Sequence, residues 1–545
     1  MARQEFSYPE KIDAKGDALM SRRSVALAAG FLMVAMLLSR ILGFVREMAV
    51  TQVFGRTATT DAFFAAFAIP DLMYNLLVGG ALGAAFIPVF TEYLARGQEK
   101  EAWYVASSFL NVIVSLLLLF AILGVIFAPA LAPLVAYEFK GEQLDLLVFL
   151  MRIMFPAVFF TALAGLEVGI LNSYQKFKAA AIAPLLYNIA IILGAFFLGP
   201  RMGITGLAIG VVVGAILNFS TQLPFVLRQN AGYRLLLFDF QHPGFRKMIS
   251  LMLPTVIGLS VVQVNLLVNQ NLASGLAAGS ITALRLANRL MQLPLAIFAM
   301  AVATAIFPTV TRQVALGEMR AFRETMSLGL RSVFFITLPA GAGLIALAAP
   351  IVRLLFERGE FTAFDTQATA YALIFYSLGL AGQSAIQIIT RSYYALQDTR
   401  TPVIVALFSA LLNIVLSIVF LNATNLAHGG LALAYSATSA VNMLALFWLL
   451  RVKLHGIDGR RLLISFMKAA AASAVMAVAV WWVAEFLGRR LNLDSLAGRT
   501  LQVGAGILVG VVVYVLAVVA LRMEEVRTVR ELFLRRRRRE PEAAN

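Results

Sequence analysis

Long apolar stretches follow one another along nearly the whole chain, and short polar segments separate them. Fourteen such stretches occur, near residues 24–54, 61–94, 102–136, 143–172, 178–200, 203–227, 248–275, 280–311, 324–352, 366–396, 401–422, 428–450, 462–487 and 500–521. A helix of about 20 apolar residues crosses the hydrocarbon core of a bilayer, whereas the strands of a membrane barrel alternate between apolar and polar positions. These stretches do not alternate. The pattern therefore predicts an all-α polytopic membrane protein with about 14 transmembrane helices.

The two halves of the chain share a pattern of prolines, glycines and tyrosines. The stretches AAFIPVFTEYLARGQEKEA (84–102) and TAIFPTVTRQVALGEMRAF (304–322) align at an offset of 220 residues. The matched pairs are Pro88 with Pro308, Gly97 with Gly317, Pro129 with Pro350 and Tyr174 with Tyr394. Such self-similarity indicates a duplication. It predicts two parallel six-helix repeats related by a pseudo-two-fold axis along the membrane normal, followed by two C-terminal helices.

Breaks in the apolar pattern predict the domain boundaries. The predicted parts are a cytoplasmic N-terminal extension (1–23), an N-lobe (24–227), a cytoplasmic amphipathic linker (228–247), a C-lobe (248–452), two C-terminal helices outside the repeat (453–521) and a basic cytoplasmic tail (522–545). The apolar residues of the linker favour a short helix lying on the membrane surface. The tail carries LFLRRRRRE at 532–540 and is expected to lie near anionic phospholipid headgroups.

Composition and charge restrict the function. Hydrophobic residues make up 60% of the chain, charged residues make up 14%, and the net charge is +16. The Lys and Arg residues concentrate in alternate loops, which predicts a multi-pass membrane protein with both termini in the cytoplasm. Cysteine is absent, so disulfides, thiolate metal sites and Cys nucleophiles are excluded. No nucleotide-binding, zinc-protease or hydrolase motif occurs, so we expect neither an enzyme nor a cofactor.

Several charged residues lie inside the apolar stretches, where each costs roughly 3 kcal/mol on insertion scales. Arg152, Arg331 and Lys468 lie near the starts of their stretches and can extend to the membrane interface, so the candidates are Arg40, Arg46, Arg285 and Arg289. Arg285 and Arg289 share a helix face with Gln292, because residues four and seven apart lie on one side. These four arginines outnumber the acidic residues Asp61, Asp71 and Glu167 of the stretches. The surplus of positive charge predicts a cationic central cavity that binds phosphate, for which arginine is well suited. The alternative is structural pairing with Asp61, Asp71 or Glu167.

Polar residues in the seventh stretch, SVVQVNLLVNQN, form a weaker signal. Asn265 and Asn269 share a helix face, and they could bind a cation or a neighbouring helix. The helix contact is the preferred interpretation.

Several motifs in sequence order resemble the MurJ (MviN) lipid II flippases, which belong to the multidrug/oligosaccharidyl-lipid/polysaccharide exporter superfamily. These are SRILGFVREMAV…FG…TDAFFAAFAIPDL, ANRLMQLP…FP, LFERGEFTAFDT and YYALQDTRTPV. The resemblance covers about residues 24–520. It implies two six-helix lobes and two extra helices. It also implies transport of undecaprenyl-pyrophosphate-linked disaccharide-pentapeptide (lipid II) from the inner to the outer leaflet by alternating access, for peptidoglycan synthesis.

The resemblance also implies roles for particular residues. The family's essential arginines and its acidic residue match Arg40, Arg46, Arg289 and Asp61. The chain departs from the family pattern at Tyr74, Gly79 and Gln292, and Arg285 offers a replacement cation. Some members bind sodium through acidic residues in helices 7 and 11. The nearest candidates here are Asn265, Asn413 and Ser417, so no metal site is predicted with confidence.

Two other functions remain open at this stage. A cation-coupled multidrug or lipid-linked polysaccharide exporter of the same superfamily would need an acidic or aromatic cavity. A non-transporting scaffold for envelope synthesis would need no intramembrane arginines. We expect contact with anionic phospholipids and with the cell-wall synthesis machinery, and no binding of nucleic acid.

Overall fold

The computed structural model describes residues 34–35, 37–76, 82–229 and 232–525. The whole predicted N-terminal extension, most of the predicted basic tail and Gly79 therefore lie outside the described residues. Within them the chain forms helices and no strand. The helices are α1 (37–54), α2 (Ala58–Ala66), α3 (Ala68–Tyr74), α4 (Ile87–Ala95), α5 (Glu99–Ile126), α6 (Ala128–Val135), α7 (Glu142–Ser173), α8 (Phe177–Leu193), α9 (Gly199–Met202), α10 (Ile204–Leu227) and α11 (Pro243–Ser274). They continue with α12 (Ser280–Pro294), α13 (Met300–Ala315), α14 (Met319–Ala346), α15 (Ala348–Phe356), α16 (Ala363–Leu378), α17 (Leu380–Ala395), α18 (Arg400–Ala423), α19 (His428–Lys453), α20 (Gly459–Arg490) and α21 (Leu496–Ala520).

Each predicted apolar stretch corresponds to one helix or to a broken series of helices in the described part of the chain. Eleven helices there are long and apolar enough to cross a membrane, or twelve if α16 and α17, which meet at a 41° bend, form one span. The described residues of the first stretch are helical as well, and those of the second stretch are divided among α2, α3, a π-helical turn and α4. The all-α membrane fold is confirmed, whereas the count of fourteen spans is not.

In the described part of the chain, three complete π-helical turns interrupt the apolar stretches, at Leu82–Phe86, Gly194–Leu198 and Leu295–Ala299. The third follows Pro294 directly and separates α12 from α13. A π-helical turn contains one residue more than an α-helical turn and is a recognised cause of bending in helices.

Residues with left-handed backbone conformation recur in both halves of the chain. Their pairs are Gly55 with Gly279, Gly97 with Gly317, Gly141 with Gly359, Gln175 with Gln397 and Gly203 with Ala427. Only glycine adopts this conformation without strain, so these turns require the same unusual geometry twice. The paired turns support the duplication. Around Tyr174 they change the offset between the two repeats by two residues, because Gln175 corresponds to Gln397 rather than to Ala395.

Backbone contacts divide the chain into two compact units. Unit 1 contains the described residues up to Glu47, Met73–Leu123 and Ile153–Val256. Unit 2 contains Met48–Leu72, Gly124–Arg152 and the described residues from Ile257 onward. Parts of the first repeat therefore belong to unit 2. The predicted lobe boundaries (24–227 and 248–452) follow the sequence repeat and remain a prediction.

Unit 1 has an aromatic core on the side where α4 ends and α5 begins. Phe86 and Phe90 stack on each other, and Phe90 meets Trp103 edge to face. The indole nitrogen of Trp103 donates a hydrogen bond of 2.8 Å to the hydroxyl of Tyr174, which donates in turn to Glu99. Aromatic pairs of this kind contribute about 1 kcal/mol beyond their buried area. They hold α4, α5 and the end of α7 together.

The linker between α10 and α11 does not form the surface helix expected from its apolar residues. Residues 232–242 contain turns only, and α11 begins at Pro243. Side chains of α5 bind the linker backbone: Asn111 donates to the carbonyls of Arg234 and Leu237, and Ser107 accepts from the Arg234 amide. Because these side chains satisfy the backbone groups, a helix is not needed to do so.

Unit 2 contains two separate hydrophobic cores. One joins α13, α14, α17 and α19 through buried residues such as Phe322, Ile388 and Tyr393. The other joins α20 and α21 to α14 and α15 through Met476, Val480 and Tyr514. The last two helices are thus packed on unit 2 along one side, while apolar side chains such as Trp481 and Leu508 remain exposed on the other.

Candidate transport site

The first helix carries its two arginines in different surroundings. Arg40 is exposed in the described structure. Arg46 forms an ion pair of 2.8 Å with Glu47 and donates a hydrogen bond of 3.3 Å to the side-chain oxygen of Asn188 on α8. Asn188 is fixed in turn by a hydrogen bond to the carbonyl of Pro184. The expectation that Arg46 contributes a surplus charge therefore needs correction, because Glu47 supplies a countercharge that the sequence analysis did not consider.

Helix α12 presents the predicted polar face. Arg289 and Gln292 are exposed, and Arg285 is partly exposed, whereas Leu286 and Leu290 on the same helix are buried. The guanidinium of Arg285 lies over the ring of Phe64, 4.5 Å from its centroid. Among the described residues no carboxylate lies within ion-pair distance of Arg285. An aromatic ring holds this cation in place without neutralising it, so the charge is available to an anion.

Asp61 is held by the N-terminus of α12. Its carboxylate accepts hydrogen bonds from the amides of Gly279 (2.6 Å) and Thr282 (2.8 Å) and from the Thr282 hydroxyl (2.6 Å). Gly279 begins the helix with a left-handed backbone and has no side chain to cap it. The first amides of a helix need acceptors and favour negative charge. Asp61 therefore caps α12 instead of pairing with an arginine, and it is only 3% exposed.

A buried ion pair lies in the same part of unit 2. Arg56 donates a hydrogen bond of 3.0 Å to Asp365 and another of 3.1 Å to the carbonyl of Ala278. Asp365 also caps α16, because its second oxygen accepts from the amide and hydroxyl of Thr362. Arg56 lies outside the apolar stretches, so the pattern of intramembrane charges did not single it out. The Thr-x-x-Asp capping box at 362–365 was a visible signal.

The backbone itself completes this contact. The Glu360 amide donates a hydrogen bond of 2.9 Å to the carbonyl of Gln52. Gly55 and Gly359 are both left-handed, and a Cβ atom would lie 2.6 Å from the Glu360 oxygen at Gly55 and 2.2 Å from the Gln52 oxygen at Gly359. Glycine is therefore required twice for close approach. Together with Asp61 and Arg56, these residues form what we call the locking contact, which joins the end of α1 and the start of α2 to residues 278–282 and 359–365.

The weak cation candidates bind one another. Asn269 donates to the side-chain oxygen of Asn413 (2.7 Å) and to that of Asn265 (3.2 Å), and Ser417 donates to Asn269 (3.0 Å). These bonds link α11 to α18, as the preferred helix-contact interpretation predicts. In the described part of the chain no group of three or more acidic or histidine side chains is positioned to hold a metal ion.

Comparisons with known proteins identify the family. The family model described as lipid II flippase MurJ matches residues 50–502. A probable lipid II flippase MurJ of Vibrio cholerae is 34% identical over 93% of this chain and 98% of its own length, and the lipid II flippase MurJ of Burkholderia cenocepacia is 31% identical over 87% and 93%.

Solved structures agree with these matches. A lipid II flippase MurJ in an inward closed conformation matches with a TM-score of 0.76 and 28% identity, over 90% of this chain and 98% of that chain. An inward-facing multidrug resistance transporter of the MATE family, at 16% identity and a TM-score of 0.66 over 78% of this chain and 98% of that chain, shares the fold. The chain is therefore a multi-pass membrane transporter that belongs to the lipid II flippase MurJ family.

Proposed function

We propose that this protein moves lipid II from the inner to the outer leaflet of the bacterial cytoplasmic membrane by alternating access, with both termini in the cytoplasm. The observation that carries the proposal is the exposed face of α12, where Arg285 and Arg289 stand one turn apart and Arg285 rests on an aromatic ring. A planar guanidinium binds two phosphate oxygens at once, which a lysine cannot do. Two such groups one turn apart suit a pyrophosphate.

Arg40 and Arg46 in unit 1 are proposed as further contacts to the headgroup. Arg46 is oriented by Glu47 and Asn188, and this ordering reduces the side-chain entropy that binding would otherwise cost. Asp61 and Gln292 complete the proposed set of substrate-site residues. The cationic central cavity that would bring them together remains a prediction from the sequence.

The locking contact supports alternating access. It involves the C-terminal end of α1, which the charge distribution places on the outer side of the membrane. It consists of short hydrogen bonds, some to charged side chains and one between backbone groups. These bonds would break together if the end of α1 moved away from α12. We infer that the locking contact closes the outer side in this conformation and opens to release substrate.

Helices α20 and α21 are proposed to guide the polyprenyl tail. They lie outside the repeat, pack on α14 and α15 along one side, and leave exposed apolar side chains such as Trp482 and Leu516 on the other. A long apolar tail has no reason to leave the lipid phase, so a groove along these helices would keep it there while the headgroup crosses.

The linker is proposed to contact anionic phospholipids of the inner leaflet. Leu235 and Leu236 are each 75% exposed at a turn whose backbone Asn111 fixes. Arg234 lies over the ring of Tyr104 beside them. An exposed apolar turn beside a cation favours contact with a membrane surface that contains anionic lipids. Contact with the cell-wall synthesis machinery stays a prediction.

Reconstituted vesicles test the function. Purified protein in liposomes that contain lipid II should move it between leaflets, whereas the Arg285→Gln/Arg289→Gln variant should lose at least tenfold in rate, a change of about 1.4 kcal/mol. The matched control is Arg489→Gln, which removes an exposed cation that pairs with Glu485. A multidrug exporter would instead move a cationic dye, and a scaffold would move neither compound. Unchanged lipid II transport by the double variant would refute the assigned site.

A further inference from the structure

A buried carboxylate in unit 1 has no role in the transport site and no hydrogen-bond partner among the described residues. Glu167 lies on α7, six residues before its C-terminal end at Ser173, and is 5% exposed. Neither carboxylate oxygen has a hydrogen-bond partner among the described residues. Its neighbours one turn away on the helix are Leu163, Ala164, Ile170 and Leu171, which are apolar and mostly buried.

The elements that pack on α7 bring no countercharge to it. The hydrophobic cluster around this part of α7 also contains residues of α3, the π-helical turn at Leu82–Phe86, α4, α5, α8, α10 and the start of α11. The ionisable groups on these elements are Asp71, Tyr74, Glu92, Tyr93, Glu99, Lys100, Glu101, Tyr104, Lys178, Tyr187, Arg246 and Lys247. Glu92 pairs with Lys247, Glu99 with Tyr174, Glu101 with His242 and Tyr104 with Asp239. None of the twelve bonds to Glu167 in the described structure, and on α7 itself the nearest charged residue is Arg152, about four turns away.

An unpaired carboxylate ion in such surroundings costs several kcal/mol, so the carboxyl group is neutral there. A metal ion would need several oxygen ligands, and the described residues provide no acidic cluster. The cation that a single carboxyl group can hold without help is the proton.

We propose that Glu167 is a proton-binding site of the transport cycle. It holds a proton in the conformation described here and releases it when rearrangement of unit 1 exposes the group to water. On release the O–H bond breaks, the electron pair stays on the carboxylate, and the proton passes to water; the reverse step reloads the site. This proposal rests on the proposed transport function. If release and reloading occur on opposite sides of the membrane during alternating access, one proton crosses with each cycle, and transport responds to a pH gradient.

The first test measures protonation alone. Infrared spectra of the purified protein at neutral pH should contain a carboxylic-acid carbonyl band that Glu167→Gln removes. Glu138→Gln, which replaces an exposed glutamate paired with Lys140, should leave the band unchanged. Glu167→Leu, which replaces the neutral group by an apolar one, should also fold and lack the band. Identical bands in the native protein and in Glu167→Gln would overturn the proposal.

The second test measures coupling. Lipid II transport in vesicles clamped at zero membrane potential should change with an imposed pH gradient, by up to about tenfold per pH unit for one proton per cycle. Glu167→Gln should keep transport driven by membrane potential and lose this response. An unaltered response in the variant would overturn the proton site. If the native protein moved no lipid II with a membrane potential or with a pH gradient, the proposed transport function would be overturned. The infrared result would still decide whether Glu167 holds a proton.

Discussion

Removal of the Asp61 carboxylate should open the locking contact. In Asp61→Ala, the amides of Gly279 and Thr282 and the Thr282 hydroxyl lose a common acceptor in a buried place. Each unsatisfied buried donor costs about 1–3 kcal/mol, and the lost charge at the helix N-terminus adds up to about 2 kcal/mol. Water entering the gap recovers part of this, so we expect a net loss of about 3 kcal/mol. Asp61→Asn keeps one acceptor oxygen and should lose less.

The loss converts directly into a change of population. Since every 1.4 kcal/mol is tenfold, about 3 kcal/mol shifts the balance between closed and open forms roughly a hundredfold toward the open form. If a thiol buried beside Asp61 reacts only in the open form, its labelling rate should rise in proportion to the fraction of that form.

Absence of native cysteine makes the assay simple. Ser280 is 1% exposed and follows Gly279, and Ser280→Cys would be the chain's one thiol. Its reaction with a membrane-impermeant maleimide should be slow alone and roughly a hundredfold faster with Asp61→Ala. Asp145→Ala, which removes an exposed carboxylate in the first turn of α7, is the matched control. Equal labelling rates with and without Asp61, in protein that remains folded, would refute this account of the locking contact.

Other parts of the structure give further predictions. Arg46→Lys should support growth of a flippase-depleted strain less well than the native protein, because lysine cannot bind Glu47 and Asn188 with the planar fork of arginine; full growth would contradict this. Partial burial raises the pKa of Asp398, but hydrogen bonds from Lys453 and Thr401 outweigh it and lower that pKa to about 2. The stabilising contribution of the ionised Asp398 should thus be complete above about pH 4 and be lost as the pH falls toward 2. Thermal unfolding at several pH values should show that Asp398→Asn removes this pH dependence, which amounts to less than about 1 kcal/mol in the free energy of unfolding. Lipid II export should accelerate as the cytoplasmic side becomes more negative, because two pyrophosphate charges gain roughly 4.6 kcal/mol per 100 mV. A rate that follows a sodium gradient and ignores potential would reject this mechanism.

The sequence was sufficient for the features that depend on spacing alone. Apolar runs located every helix or broken helix in the described residues, and the four- and seven-residue spacing of Arg285, Arg289 and Gln292 correctly placed them on one face. The same reasoning could not assign partners. Pairing of Asp61 with an arginine was the alternative to a role in the substrate site, because charge was the visible property. Its bonds come instead from the amides of Gly279 and Thr282, which carry no sequence signal, and from the Thr282 hydroxyl.

Contacts between residues distant in the chain account for the other differences. Arg56 and Asp365 are 309 residues apart, so no periodicity connects them. The linker has an apolar composition typical of a surface helix, but Asn111 and Ser107 of α5 bind its backbone and fix turns instead. Glu167 was counted as a possible countercharge, and only the fold shows that it stands alone among the described residues.

The π-helical turn at Leu295–Ala299 gives α12 a way to rotate without unfolding. That turn holds one residue more than an α-helical turn, and α-helices continue on both sides of it. If the turn moved along the helix past a given residue, that residue would rotate by one helical step, about 100°. A shift of this kind toward Ser280 would redirect the guanidinium groups of Arg285 and Arg289 by more than a quarter of a circle, while the helix kept its length, its span and nearly all of its backbone bonds.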